Sequence, residues 1–278
     1  MKKFSVLFFL LCAYLFSVSS LQAQQLRMPD IFSENMVLQE QATVNFHGYA
    51  DTQQKIEVVP GWSGDTLKTT AESNAEWAVK LSTPKAGGPY EITVINGDQK
   101  IVIHNVLIGE VWLASGQSNM EMSADWHPEY YKKDIAATDN RQIRFFEINK
   151  ISAPYPQKEV RGQWKMSTPS SMRTFSLAGY YFGKRLNQEL NSPIGLIQSA
   201  WGGTPVESWT PVEVFSEHTN LAVSAAELQP VPWCPMRPAV TYNAMIHPIA
   251  GYPIAGPSGT REKRTQPIPG LTRRLFLI

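Results

Sequence analysis

Cysteine is almost missing from this chain of 278 residues, which has only Cys12 and Cys234. Cys12 lies inside an apolar N-terminal run that reads as removable. Cys234 is then the only thiol left, and no intramolecular disulfide is expected. An excess of charge of either sign is missing too. The 25 Lys and Arg against 24 Asp and Glu leave a net charge of +1, and no basic run follows a predicted helix face. The electrostatic footprint of a nucleic-acid binder is therefore excluded, and small neutral or weakly acidic ligands fit better. The apolar run from Phe4 to Val18 is shorter than the roughly 20 residues a spanning helix needs, so stable membrane insertion is not expected. Histidine is scarce, with 5 residues, and no Asp-x-x-His spacing occurs anywhere.

The N-terminus reads as an address. Lys2 and Lys3 precede the apolar run, and Ser19-Ser20-Leu21-Gln22-Ala23 offers small residues for cleavage. This predicts a signal peptide over 1–23 and export to the periplasm or the extracellular space. Cys12 follows Leu11, where a lipoprotein site would want a small residue, so lipidation is not expected. Residues 24–105 read as a β-sandwich. Short alternating or β-branched runs (Thr43 to His47, Lys55 to Val59, Trp77 to Leu81, Tyr90 to Ile95, Lys100 to His104) are separated by Gly, Pro, Asn and Asp turns.

Residues 106–255 change to mixed α/β. Gln142 to Ile148 and Ile194 to Ser199 read as strands, and Phe175 to Leu186 as a helix with Ser176 as its cap. Strand, helix, strand implies a parallel sheet with a crossover helix, and ligands gather at the carboxyl ends of such strands. Two motifs stand there. Val111-Trp112-Leu113-Ala114-Ser115-Gly116-Gln117-Ser118-Asn119-Met120-Glu121 is an apolar strand running into a glycine turn that displays a serine. Nucleophilic serines are often presented this way, and so are ordinary turn serines. Gly195-Leu196-Ile197-Gln198-Ser199-Ala200-Trp201-Gly202-Gly203-Thr204-Pro205 is a buried strand ending in a Gly-Gly turn, where backbone can approach a ligand closely.

Together these two blocks resemble those of the sialate O-acetylesterase family, carbohydrate esterases of the SGNH hydrolase superfamily. Phe32 to Gln39 and Ala86-Gly87-Gly88-Pro89-Tyr90 resemble the same family's accessory β module. The resemblance implies an SGNH-like α/β fold and removal of O-acetyl groups from sialic acid or a related sugar. It makes Ser118 the nucleophile, gives the amides of Ser118 and of Gly202 or Gly203 to the oxyanion hole, and places Gln117 and Asn119 at the substrate. It implies no metal and no cofactor. A rival reading is a secreted glycan-binding or structural protein whose β-sandwich does the work beside a vestigial hydrolase portion.

A serine esterase also needs a base, usually His oriented by a carboxylate. In the family this is a C-terminal Asp-x-x-His, which the chain lacks. His47 and His104 belong to the β module. His127, in Asp125-Trp126-His127, follows the nucleophile too closely, and His247 reads as structural beside Pro248. The family pattern after Tyr252-Pro253-Ile254-Ala255-Gly256 is a strand and Trp-Tyr-Gln-Gly-Glu-Ser/Thr-Asn, whose Asn donates to the oxyanion. Residues 256–278 instead show no hydrophobic period and read as a disordered tail. Read from the third base of the Gly256 codon, however, the degenerate codons permit Ala or Pro, Ile, Trp, Tyr, Gln, Gly, Glu, Thr and Asn in succession, with AGR for Arg261. The expectation is a net one-base deletion near Ala255 or Gly256, an out-of-frame tail, and a chain without esterase turnover.

Overall fold

A computed structural model describes residues 25–260. The signal peptide expected over 1–23 and the tail from 261 lie outside the described residues. The strands are β1 (Val37–Gln39), β2 (Thr43–Tyr49), β3 (Lys55–Pro60), β4 (Leu67–Thr70), β5 (Glu76–Ser82), β6 (Gly87–Asn96), β7 (Gln99–Gly116), β8 (Asn140–Glu147), β9 (Trp164–Ser167), β10 (Ile194–Ala200) and β11 (Gly256–Thr260). The α-helices are α1 (Ser118–Glu121), α2 (Pro128–Ala136), α3 (Pro169–Thr174), α4 (Leu177–Leu190), α5 (Val212–Glu217) and α6 (Thr219–Glu227). None is long and apolar enough to cross a membrane.

The N-terminal part is two-layered because its strands alternate. In β2, Val44 and Phe46 point inward, and in β5 Trp77, Val79 and Leu81 do so. These two strands pair antiparallel, and their buried side chains join those of β3, β6 and β7 in one core. Phe32, Phe46 and Trp77 are its aromatic centre, with ring centroids 4.7 Å apart for Phe32 and Phe46 and 6.1 Å for Phe46 and Trp77. Burying each such ring contributes about 1.5–3 kcal/mol.

Strand β7 connects this part to the rest. Its first half pairs antiparallel with β6, and its second half pairs parallel with β10, from Ile194↔Glu110 to Ala200↔Gly116. The boundary expected between 105 and 106 thus falls inside one continuous strand. Where β7 passes from one set of partners to the other stands Gly109. A Cβ there would lie 2.1 Å from the carbonyl oxygen of Pro193, a position only glycine fills.

The C-terminal sheet runs β11-β7-β10-β8-β9, with β9 antiparallel and the others parallel. This is the expected α/β architecture. β10 is buried along its whole length, as a central parallel strand covered on both faces must be. Helix α4 covers one face. Ser176 caps it, accepting from the Gly179 amide at 3.0 Å, and Asn191 ends it in a left-handed conformation with φ 49°. Phe145 of β8 stacks on Phe175 at 4.2 Å, and Trp112 of β7 meets Phe182 of α4 edge-on. The other face carries Trp209, Met245, Ile249 and Tyr252. The Tyr252 hydroxyl donates to the Val37 carbonyl at 2.6 Å, and burial pushes its pKa up.

One expectation is corrected here. Gly256–Thr260, read as the start of a disordered tail, forms β11 beside the second half of β7, from Gly256↔Trp112 to Thr260↔Gly116. Its own residues have poor strand propensity. The reason for the strand is the unsatisfied ladder of β7, which without β11 would leave its N–H and C=O groups unpaired at an edge.

Candidate active site

Strands β7 and β10 end side by side, since Ala200 is the register partner of Gly116. The chain leaves β7 through Gln117 and enters the single turn α1, so Ser118 stands just past a strand's carboxyl end. The amides of Met120 and Glu121 donate to the Gln117 carbonyl at 3.0 and 2.9 Å, closing the turn. Met120 is buried against Ala114 and Ala200, which pins the turn to both strands. Gln117 is half-buried, Ser118 half-buried and Asn119 exposed.

The second motif arrives beside it. The Trp201 amide donates to the Gly116 carbonyl at 3.1 Å, extending the β7–β10 pairing by one bond. Gly202 then packs on the Ser118 turn. A Cβ on Gly202 would lie 3.5 Å from Cα and Cβ of Ser118 and 2.8 Å from Oε2 of Glu121. Gly203 takes φ +82°, which reverses the chain. Thr204 secures the reversal by donating from its hydroxyl to the Trp201 carbonyl at 2.6 Å while accepting from the Trp209 indole at 2.8 Å. The structure thus brings Ser118, Gly202 and Gly203 into one wall at the carboxyl edge of the sheet.

Glu121 was not singled out in the sequence, although it closes the serine motif three residues after Ser118. Its carboxylate accepts from the Gly202 amide through Oε2 and from the Lys150 ammonium through Oε1. An acid one helical turn after the displayed serine was the available signal. Its partners are 29 and 81 residues away, and no local pattern reveals them. The consequence is chemical. The Gly202 N–H is aimed at Glu121, so it becomes available to a ligand only after that carboxylate lets go.

The histidines are engaged elsewhere. His47 Nδ1 lies 3.0 Å from the Asn45 carbonyl, and His104 pairs with Glu91 at 2.7 Å. His127, exposed at the entry to α2, sits 3.8 Å from Glu129. His247 Nδ1 lies 3.1 Å from the Gln157 carbonyl, in a groove shared with His47 and Tyr49. His218 joins α5 to α6. Among the described residues, no histidine hydrogen-bonds Ser118 and no three His, Cys, Asp or Glu side chains group as a metal site.

Nearby charge is tuned by burial. Glu147, at the end of β8, has its pKa raised by desolvation and by the Glu121 charge, against the opposing pull of Lys165 and Lys150.

Residues 108–233 match the family model for carbohydrate esterases described as sialic acid-specific acetylesterase. Sialate O-acetylesterase of Homo sapiens is 28% identical over 251 residues, covering 83% of this chain and 47% of that protein. The enzyme of the same name from Rattus norvegicus is 28% identical over 275 residues, covering 83% of this chain and 50% of its own. The chain spans about half the length of the curated relatives it matches. Among solved structures, a carbohydrate acetylesterase from Xanthomonas citri superimposes with a TM-score of 0.74 at 29% identity, over 85% of this chain and 51% of that one.

Proposed function

We propose that this chain, which is similar to the sialic acid-specific acetylesterase family over residues 108–233 and to sialate O-acetylesterases over 83% of its length, is built to remove O-acetyl groups from sialic acid or a related sugar, with Ser118 as nucleophile. The observation that carries this reading is the packing of Gly202 against Ser118 at the adjoining ends of β7 and β10. In the proposed reaction the Ser118 Oγ attacks the acetyl carbonyl carbon and loses its proton to a base. The tetrahedral oxyanion accepts hydrogen bonds from the Ser118 amide and from Gly203 or a released Gly202. Collapse expels the sugar hydroxyl, which takes up the proton, and water then hydrolyses the acetyl-enzyme. Gln117 and Asn119 flank the nucleophile and contact the substrate.

Among the described residues no histidine hydrogen-bonds Ser118, and the sequence carries no Asp-x-x-His. We therefore infer that the 278-residue chain does not turn over acetyl esters and that it derives from an exported enzyme interrupted by the frame change near Gly256. The test compares this chain with a version whose reading frame is restored after Ala255. Only the restored protein should hydrolyse 4-nitrophenyl acetate and O-acetylated sialic acid, and Ser118→Ala should cost it about a hundredfold or more in kcat with the fold intact. Ser118→Ala activity within tenfold of the parent would reject the nucleophile. Ser118-dependent turnover by the unrestored chain would show that it holds a base, with His127 and His247 the first to replace.

A further inference from the structure

The serine wall has a neighbour that the esterase chemistry does not use. Trp233 is 67% exposed, a large apolar surface for an isolated indole to leave in water. Its position is not arbitrary. Nε1 and Cδ1 of the indole lie 3.2 and 3.5 Å from where a Cβ on Gly203 would be. The pyrrole edge therefore faces the Gly-Gly turn, and most of the ring surface stays open. Gly203 at φ +82° has no side chain to push the indole away.

The segment that presents the ring is restrained. Gln229-Pro230-Val231-Pro232-Trp233-Cys234-Pro235 holds three prolines, each fixing its own φ. Cys234 is buried, with Sγ 3.3 Å from the same Gly203 position. Trp233 is thus an exposed ring on an anchored loop, with little freedom left to lose when a ligand lands on it. Gly202 touches Ser118, Gly203 touches Trp233, and adjacent Cα atoms are 3.8 Å apart, which keeps nucleophile and indole within roughly 13 Å. A pyranose ring with an exocyclic acetyl ester bridges that span.

We propose that Trp233 is the platform for the sugar ring of the acetylated substrate: the apolar C–H face of a pyranose lies on the open face of the indole. The platform rests on the esterase reading above and sharpens it by naming where the sugar sits. It selects esters carried on a pyranose over simple alkyl or aryl acetates, because only the former gain the stacking contact.

The full chain is titrated with N-acetylneuraminic acid and, separately, with methyl β-xyloside, while the indole N–H resonances are followed by NMR. Trp233 should shift with at least one of them. Trp233→Ala should raise its Kd about tenfold, and Trp233→Phe should stay within about threefold of the parent, since a ring restores the stack. The thermal midpoint should not move in either variant, which separates a platform from a structural ring. Binding unchanged in Trp233→Ala, shifts confined to other indoles, or no binding of either pyranose at tens of millimolar would overturn the platform. Ser118-dependent hydrolysis of 4-nitrophenyl acetate by the frame-restored protein is measured in parallel. That ester carries no sugar, so its failure sinks the esterase reading and its success beside a failed titration sinks only the platform.

Discussion

Replacing Gly109 by alanine puts a methyl group 2.1 Å from the carbonyl oxygen of Pro193, 2.7 Å from its carbonyl carbon and 2.9 Å from its Cβ. Ordinary contacts between carbon and such atoms are about 3.3–4 Å, so the overlap exceeds an ångström and involves backbone. The carbonyl cannot swing aside freely, because it accepts from the Glu110 amide at 2.9 Å, immediately before the β7–β10 ladder begins. Relief requires parting the two strands. Overpacking typically costs about 1–3 kcal/mol where side chains can yield; with backbone on both sides, about 3 kcal/mol or more is expected. For a chain of this size that is a fall of about 6–12 °C in Tm. The assay is thermal unfolding by circular dichroism, with Gly64→Ala as control, because a Cβ at Gly64 meets nothing within 4 Å and should cost no more than about 0.5 kcal/mol. A Gly109→Ala midpoint equal to that of Gly64→Ala would refute the close approach of β7 to Pro193 and the junction built on it.

Glu147→Gln should stabilise the protein at neutral pH. Burial raises this carboxyl's folded pKa above its unfolded value, so the native state binds its proton more readily and stability falls as pH rises through that window. Urea midpoints should show the gain of the variant above the window and its disappearance below it; a variant less stable at pH 7 than at pH 4, relative to the parent, would contradict the sign. Glu121→Ala removes the acceptor of the Gly202 amide and the partner of Lys150. Hydrogen exchange at Gly202 should then accelerate about tenfold or more with little change in global stability, and unchanged protection would show that the carboxylate does not hold the turn. Beside β11, a cavity of about 320 Å³ is lined by Leu113, Ile197, Trp209 and Ile249 together with the small Pro257, Ser258 and Gly259. On the proposed frame change, the restored codons put Ile and Trp in this strand, and the restored protein should then have a higher Tm and bind less of a hydrophobic dye such as ANS; a restored protein no more stable than the parent would argue against the frame change.

The parts of this protein that could be read directly are those whose physics is local. A strand running into Gly116 and displaying Ser118, a buried strand ending in Gly202-Gly203, and Ser176 capping α4 each depend on neighbours within a few residues, and each stands where the periodicity put it. Alternation likewise marked β2, β3, β5 and β6. Strands β1, β4 and β9 escaped because three or four residues cannot display a period. What tertiary structure alone decided are pairings between distant segments. The carboxylate of Glu121 reaches Gly202, the indole of Trp233 leans on Gly203, and His247 docks on Gln157 rather than on the serine. Gly256–Thr260 is the clearest case. Its composition argues against a strand, yet it extends along β7 because the hydrogen-bonding groups of a sheet edge outweigh the weak preferences of five residues.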